Sequence, residues 1–165
     1  MVGASRLVST RAEYRLKCVA CVELVPHGSF YTVSEDALKA IPPSGTGVYL
    51  FCRRHGGRYS PQYVGRSKRV RKRIREHLER VTLMRAIANG EPGRRVVLVA
   101  MVQTCRGQRA SRVAQAVEDL LLLLRHFRAS RHQLVNEKGM RRPQRTVRWT
   151  GSRAYRALIP PEMTL

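Results

Sequence analysis

Gly47-Val48-Tyr49-Leu50-Phe51-Cys52, then Tyr63-Val64-Gly65-Arg66-Ser67-Lys68-Arg69-Val70-Arg71-Lys72-Arg73-Ile74, is the stretch on which the fold turns. Residues 46 to 53 read as a buried β-strand, Gly56-Gly57 as a turn, and Tyr59 to Val64 as a second strand pairing back on the first. Beyond Ser67 the period changes. Val70, Ile74, Leu78 and Val81 recur at spacings of four, four and three, the stripe of an amphipathic helix whose other positions are mostly charged and chiefly basic. A hairpin feeding a basic helix is therefore expected.

Working outward, Asn89-Gly90-Glu91-Pro92-Gly93 breaks the chain before Val96 to Val102, a β-branched run suited to a buried strand. Residues 112 to 127 predict the most hydrophobic helix, with Val113, Val117, Leu120, Leu124 and Phe127 on one face and Leu121 to Leu123 filling the others. Such a helix is surrounded by protein on most sides. Toward the N-terminus, residues 17 to 25 are β-rich and end in the turn cluster Pro26-His27-Gly28-Ser29, after which Phe30 to Val33 pairs back. Ser34 caps a short helix over 35 to 40, stopped by Pro42-Pro43. The last segment interleaves Trp149 and Tyr155 with arginine. The pattern divides into an N-terminal hairpin and helix extension (1–45), a main α/β domain (46–140) and a basic tail (141–165).

The chain has 165 residues, 43% of them hydrophobic, which suffices for one core. Its 32 Lys and Arg against 11 Asp and Glu leave a net charge of +21, far beyond what solubility requires. A polyanionic partner is expected. With two Asp and nine Glu, the composition argues against a dense carboxylate cage for two metals. Cys18-x-x-Cys21 together with Cys52-x-x-His55 would make a zinc site only by converging; the plainer reading is small core residues. No run of 18 apolar residues occurs, so a soluble, intracellular protein without membrane contact is expected, cytoplasmic or nucleoid-associated if bacterial. The Arg- and Ser-rich start has only a faint likeness to a transit peptide, against which Glu13 and the basic bias elsewhere weigh.

Gly47-Val48-Tyr49 on the first strand, Tyr63-Val64-Gly65 on the second, Arg73 eight residues past Gly65, Glu118 amid leucines and Asn136 after Leu134-Val135 together resemble the GIY-YIG nuclease family. The departure is Val for Ile in both tripeptides, which keeps β-branched packing. The resemblance implies a small three-stranded, mainly antiparallel sheet flanked by helices, and a Mg²⁺-dependent (or Mn²⁺-dependent) DNA endonuclease with one metal per active site. It implies that Tyr49 positions or deprotonates the attacking water, that Tyr63 is a second hydroxyl, that Arg73 contacts the phosphate and that Glu118 holds the metal. Asn136 would orient a loop by hydrogen bonding, and His77, at the offset of a histidine in restriction-type members, would serve the water, the base or the leaving group. DNA contacts are expected from Arg66, Lys68, Arg69, Lys72 and Arg75 on the helix and from Arg148, Trp149 and Arg153 in the tail.

Plainer readings stand beside these. Tyr49 and Tyr63 as core aromatics, His77 as a solvated helix residue, Glu118 in a salt bridge to an arginine, and Asp119 as the metal ligand all fit the same residues. At this length a compact restriction-like or structure-selective nuclease is preferred; restriction-type double-strand cutting would favour a dimer. The competing functions are a catalytically silent nucleic-acid-binding protein and an RNA-directed nuclease.

Overall fold

The computed structural model describes residues 14–28, 30–89, 92–128, 147–150 and 162–163. In chain order the elements are β1 (Tyr14–His27), β2 (Phe30–Thr32), α1 (Glu35–Lys39), β3 (Gly47–His55), β4 (Arg58–Ser67), α2 (Val70–Leu78), α3 (Val81–Ala88), β5 (Arg94–Gln103), α4 (Ala110–Arg128), β6 (Val147–Thr150) and β7 (Glu162–Met163).

The quoted stretch folds as the β3–β4 hairpin, antiparallel from Gly47 opposite Ser67 to His55 opposite Arg58. Gly56 takes φ 57° at its tip, where a side chain would be strained. On its other edge β3 pairs antiparallel with β5, from Gly47 opposite Met101 to Arg54 opposite Arg94. These three strands form the expected antiparallel unit. The sheet is wider than three strands, however: its order is β4-β3-β5-β1-β6-β7, with β2 paired to the end of β1. The cause lies in β5, whose second edge is taken by β1 from Arg15 opposite Gln103 to Leu24 opposite Arg95. Between Cys18 and Ala20 the register shifts by one residue. The bulge changes which alternate side chains face the core, so Leu16 packs on one face of the sheet and Val22 and Leu24 on the other. Strand β6 continues the sheet in parallel with Tyr14 to Lys17.

The expected single helix over residues 67–81 is also two. Strand β4 persists to Ser67, whose hydroxyl accepts from the Arg69 amide at 3.0 Å, and α2 starts only at Val70. It closes where the Arg80 amide donates to His77 O at 3.1 Å, and an extended Arg80 re-aims the chain into α3. Val81 is therefore exposed rather than part of the stripe, and Leu83, Met84 and Ile87 take over burial in a new phase.

Two layers of helix cover the sheet. On one face α4 packs Val113, Val117 and Leu120 against Val48, Leu50 and Leu98. On the other, α1 to α3 bury Leu38, Ile74 and Met84 against Tyr49, Phe51 and Val99. Polar ties fix α2 in place: Arg71 Nε donates to Ile41 O at 2.6 Å, and Arg75 Nη2 reaches both carboxylate oxygens of Glu35 at 2.9 and 3.2 Å. Arg95, inside the protein, donates to the carbonyls of Ile87, Ala88 and Gly93, closing the end of α3. Among the described residues no helix is long and apolar enough to cross a membrane.

Candidate active site

The two tripeptides meet across the hairpin, with Tyr49 directly opposite Gly65. A side chain at Gly65 would overlap the Tyr49 hydroxyl and lie 2.8 Å from its ring carbon Cε2. Glycine is thus required there by the close approach of the phenol. Gly47 is required by packing as well, since a Cβ there would sit 2.6 Å from Ala100 O and 2.9 Å from Met101 Sδ. Strand alternation sends Tyr49, Phe51 and Tyr63 to the face covered by α2, where the second turn of that helix delivers His77. The Tyr49 hydroxyl and His77 Nε2 are 2.7 Å apart. Ring centroids lie 5.5 Å apart for Tyr49 and His77, 5.1 Å for Tyr63 and His77, and 6.3 Å for the stacked tyrosines.

His77 is 0% exposed. Burial, reinforced by Arg73 and Arg80, pushes its pKa down to about 4, so the imidazole is neutral near pH 7. Its Nδ1 has no hydrogen-bond partner among the described residues. Burial and the adjacent Tyr63 hold the Tyr49 phenol well above its ordinary value, with the Arg73 guanidinium pulling the other way. Burial raises Tyr63 too, again opposed by Arg73. Both phenols are protonated at neutral pH, and a neutral His77 can accept a hydrogen bond from the Tyr49 hydroxyl at Nε2.

His77 makes the stability of the fold depend on pH. In the unfolded chain a histidine titrates near 6.5, in the native protein His77 near 4. Above pH 6.5 neither state is protonated; as pH falls toward 4 only the unfolded state takes up the proton, so stability is lost as pH falls through that window. Urea unfolding at pH 7 and pH 4.5 should show His77→Gln losing less stability than the native protein, by roughly 2 kcal/mol. Equal losses in both proteins would refute the assignment.

Arg73, one turn before His77, is 43% exposed on its side chain and donates from Nη1 to Glu76 Oε2 at 2.9 Å. That bond to Glu76 raises the Arg73 pKa further, and its guanidinium acts on both tyrosines. Glu118 comes from the opposite layer. It stands on α4, 22% exposed on its side chain rather than enclosed by apolar residues, and its Oε2 accepts from Arg66 Nε at 2.8 Å. Its charge reaches Tyr49 and Tyr63, raising both. Tyr49, Tyr63, Arg73, His77 and Glu118 are thereby brought together from β3, β4, α2 and α4 around the edge strand of the sheet.

The residues expected at DNA on this segment, Arg66, Lys68, Arg69, Lys72 and Arg75, are all exposed, with Arg66 paired to Glu118, Arg75 to Glu35 and Lys72 to Glu76. Arg148 is exposed on β6. Asn136, Arg153 and the side chain of Trp149 lie outside the described residues. Among the described residues no group of three or more His, Cys, Asp and Glu side chains converges as a metal cage, so the Cys18, Cys21, Cys52 and His55 set does not form a zinc site. Cys52 is a core residue, Cys18 half-buried and Cys21 exposed.

Sequence reasoning missed two contributors and offered a salt bridge from Glu118 to an arginine without identifying the partner. Phe51 closes the aromatic cage, 6.0 Å from both Tyr63 and His77, and is legible two residues after Tyr49 on the same strand face. Arg80 adds positive charge to His77 and Tyr63 from beyond the end of α2. The pairing of Arg66 with Glu118 spans 52 residues and two elements, a distance at which no local pattern operates.

No curated protein and no solved structure gives a significant match to this chain. The family model of the GIY-YIG catalytic domain matches residues 45–122, which hold β3, β4, α2, α3, β5 and the part of α4 that carries Glu118. With both tripeptides opposed on one hairpin inside it, that match supports membership of the GIY-YIG nuclease superfamily for the domain over residues 45–122.

Proposed function

We propose that this protein is a Mg²⁺-dependent DNA endonuclease that hydrolyses phosphodiester bonds with one metal ion per active site. The observation that carries the reading is the 2.7 Å contact between the Tyr49 hydroxyl and a neutral, buried His77, set beside Arg73 and Glu118. Hydrolysis needs a proton acceptor for the attacking water and positive charge where the phosphate becomes more negative. A buried phenol with a raised pKa is a poor base alone. With its hydroxyl anchored on His77, Tyr49 turns an oxygen lone pair to the attacking water and positions it. Tyr63 fixes the other side of that water. Arg73, half-exposed and already oriented by Glu76, turns its guanidinium to the phosphate oxygens.

The donor set fits a magnesium ion. Glu118 offers a single carboxylate, partly open to solvent and within electrostatic reach of both phenols, and Mg²⁺ is commonly held by one or two carboxylates while keeping several waters. Bound there, the metal would supply positive charge to the phosphoryl oxygens. Lys68, Arg69 and Lys72, exposed at the start of α2, would grip flanking phosphates, with Arg148, Trp149 and Arg153 of the tail as further contacts.

The test is conversion of supercoiled plasmid to nicked or linear forms with Mg²⁺ and with EDTA. Discrete products that vanish with EDTA are expected, and their lengths separate a restriction-like enzyme from a structure-selective one. Retardation of the plasmid without scission, also on branched DNA and on matched RNA, would reduce the protein to a basic binding module.

A further inference from the structure

Alternation along β4 turns Gly65 toward Tyr49 and Arg66 to the opposite face, where its register partner Val48 packs in the core under α4. There Arg66 Nε donates to Glu118 Oε2 at 2.8 Å, with 40% of the arginine side chain exposed. Resting on the nuclease reading above, we propose that Arg66 is a positioning residue that couples the two ligands of the site: its guanidinium holds Glu118 until a DNA phosphate draws it away, so divalent cation and DNA bind cooperatively.

Charge arithmetic supports the coupling. A divalent cation arriving at Glu118 meets a guanidinium already on Oε2, a second arginine at the tyrosines, and a chain of net charge +21. One carboxylate offsets little of that, and an arriving phosphate offsets much more. The exchange is easy on the arginine side, because a partly exposed ion pair is weak and a phosphate offers the same fork two acceptors. With a cation held by Glu118, Arg66 would in turn be released toward the phosphate. Linkage makes the effect reciprocal: DNA tightens cation binding by the factor by which the cation tightens DNA binding. A buried pair would be locked, but the solvent access of Arg66 leaves it free to swing between the two anions.

The experiment uses Mn²⁺ as the probe, its free concentration followed by electron paramagnetic resonance, with the full chain alone and with a phosphorothioate DNA duplex. Uptake by Glu118→Gln with the same duplex is subtracted, since DNA itself binds Mn²⁺. For the native protein the duplex should tighten the Glu118-dependent site by at least about 5-fold. Arg66→Ala should bind Mn²⁺ tighter than native without duplex by a similar factor and gain less than about 2-fold from it, with Arg66→Lys between the two. Arg94→Ala, the same loss of charge at an exposed residue paired with Glu23, controls for net charge. If Arg66→Ala binds no tighter than native, or Arg94→Ala tightens binding as much, the coupling is wrong while the nuclease reading stands. If no Mn²⁺ uptake depends on Glu118, both fall.

Discussion

Glu118→Gln is expected to lower Mg²⁺-dependent DNA scission on the order of 10³-fold or more while DNA is still bound, because the substitution removes charge without removing shape. The amide oxygen of glutamine can still accept from Arg66 Nε, so the contact across to β4 survives in neutral form. A partly exposed ion pair contributes about 1 kcal/mol or less, and the variant should therefore melt close to the native protein. Loss of rate then reads directly as loss of the one carboxylate beside the phenols. Asp119→Asn is the companion: its carboxylate is the other one at that turn of α4, and the change should slow scission by less than about 10-fold. Gel densitometry of plasmid cleavage over a Mg²⁺ series, with urea unfolding of the same samples, decides between them. If Asp119→Asn shows the large loss and Glu118→Gln the small one, the metal ligand has been placed one residue too early.

What the sequence made legible was local and periodic. The β3–β4 hairpin follows from two apolar runs separated by Gly56-Gly57, and the buried face of α2 from the spacing of Val70 and Ile74. The family resemblance selected the five residues that converge at the edge of the sheet. Three features resisted reading for physical reasons. The bulge between Cys18 and Ala20 breaks the period of two, so a strand of 14 residues read only as the arm of a local hairpin. The break between α2 and α3 carries neither Pro nor Gly; it follows from the extended backbone of Arg80, which no residue preference announces. The spacing of α2 alone leaves His77 open to a solvated reading beside the site reading. Its burial depends on an aromatic cage assembled from three strand positions, and that is a tertiary fact.

The second large effect tests that cage through its backbone. Gly65→Ala should destabilise the protein by about 3 kcal/mol, the upper part of the range for overpacking a tight core, and should lower scission roughly 10²-fold in the protein that remains folded. The added methyl overlaps the Tyr49 hydroxyl and ring. That ring has nowhere to retreat: it is 1% exposed, with Phe51 edge-on at 6.2 Å, Tyr63 stacked on it and His77 at its hydroxyl. Either the strands part, which breaks the β3–β4 ladder, or the phenol tilts away from Nε2 and leaves a second buried nitrogen of His77 unpartnered. Both routes cost stability, and the second also breaks the hydrogen bond to His77 that holds the Tyr49 hydroxyl in place. Tyr49→Phe separates the two effects, because it deletes the hydroxyl while keeping the ring: alone it should slow scission about as much as Gly65→Ala with a smaller loss of stability, about 1–2 kcal/mol from the orphaned Nε2. In the double variant the methyl meets no hydroxyl, so part of the stability lost in Gly65→Ala should return while activity stays low. Urea midpoints of the four proteins measure this. If the two losses of stability simply add, the methyl presses on the ring carbons that phenylalanine keeps and not on the Tyr49 hydroxyl.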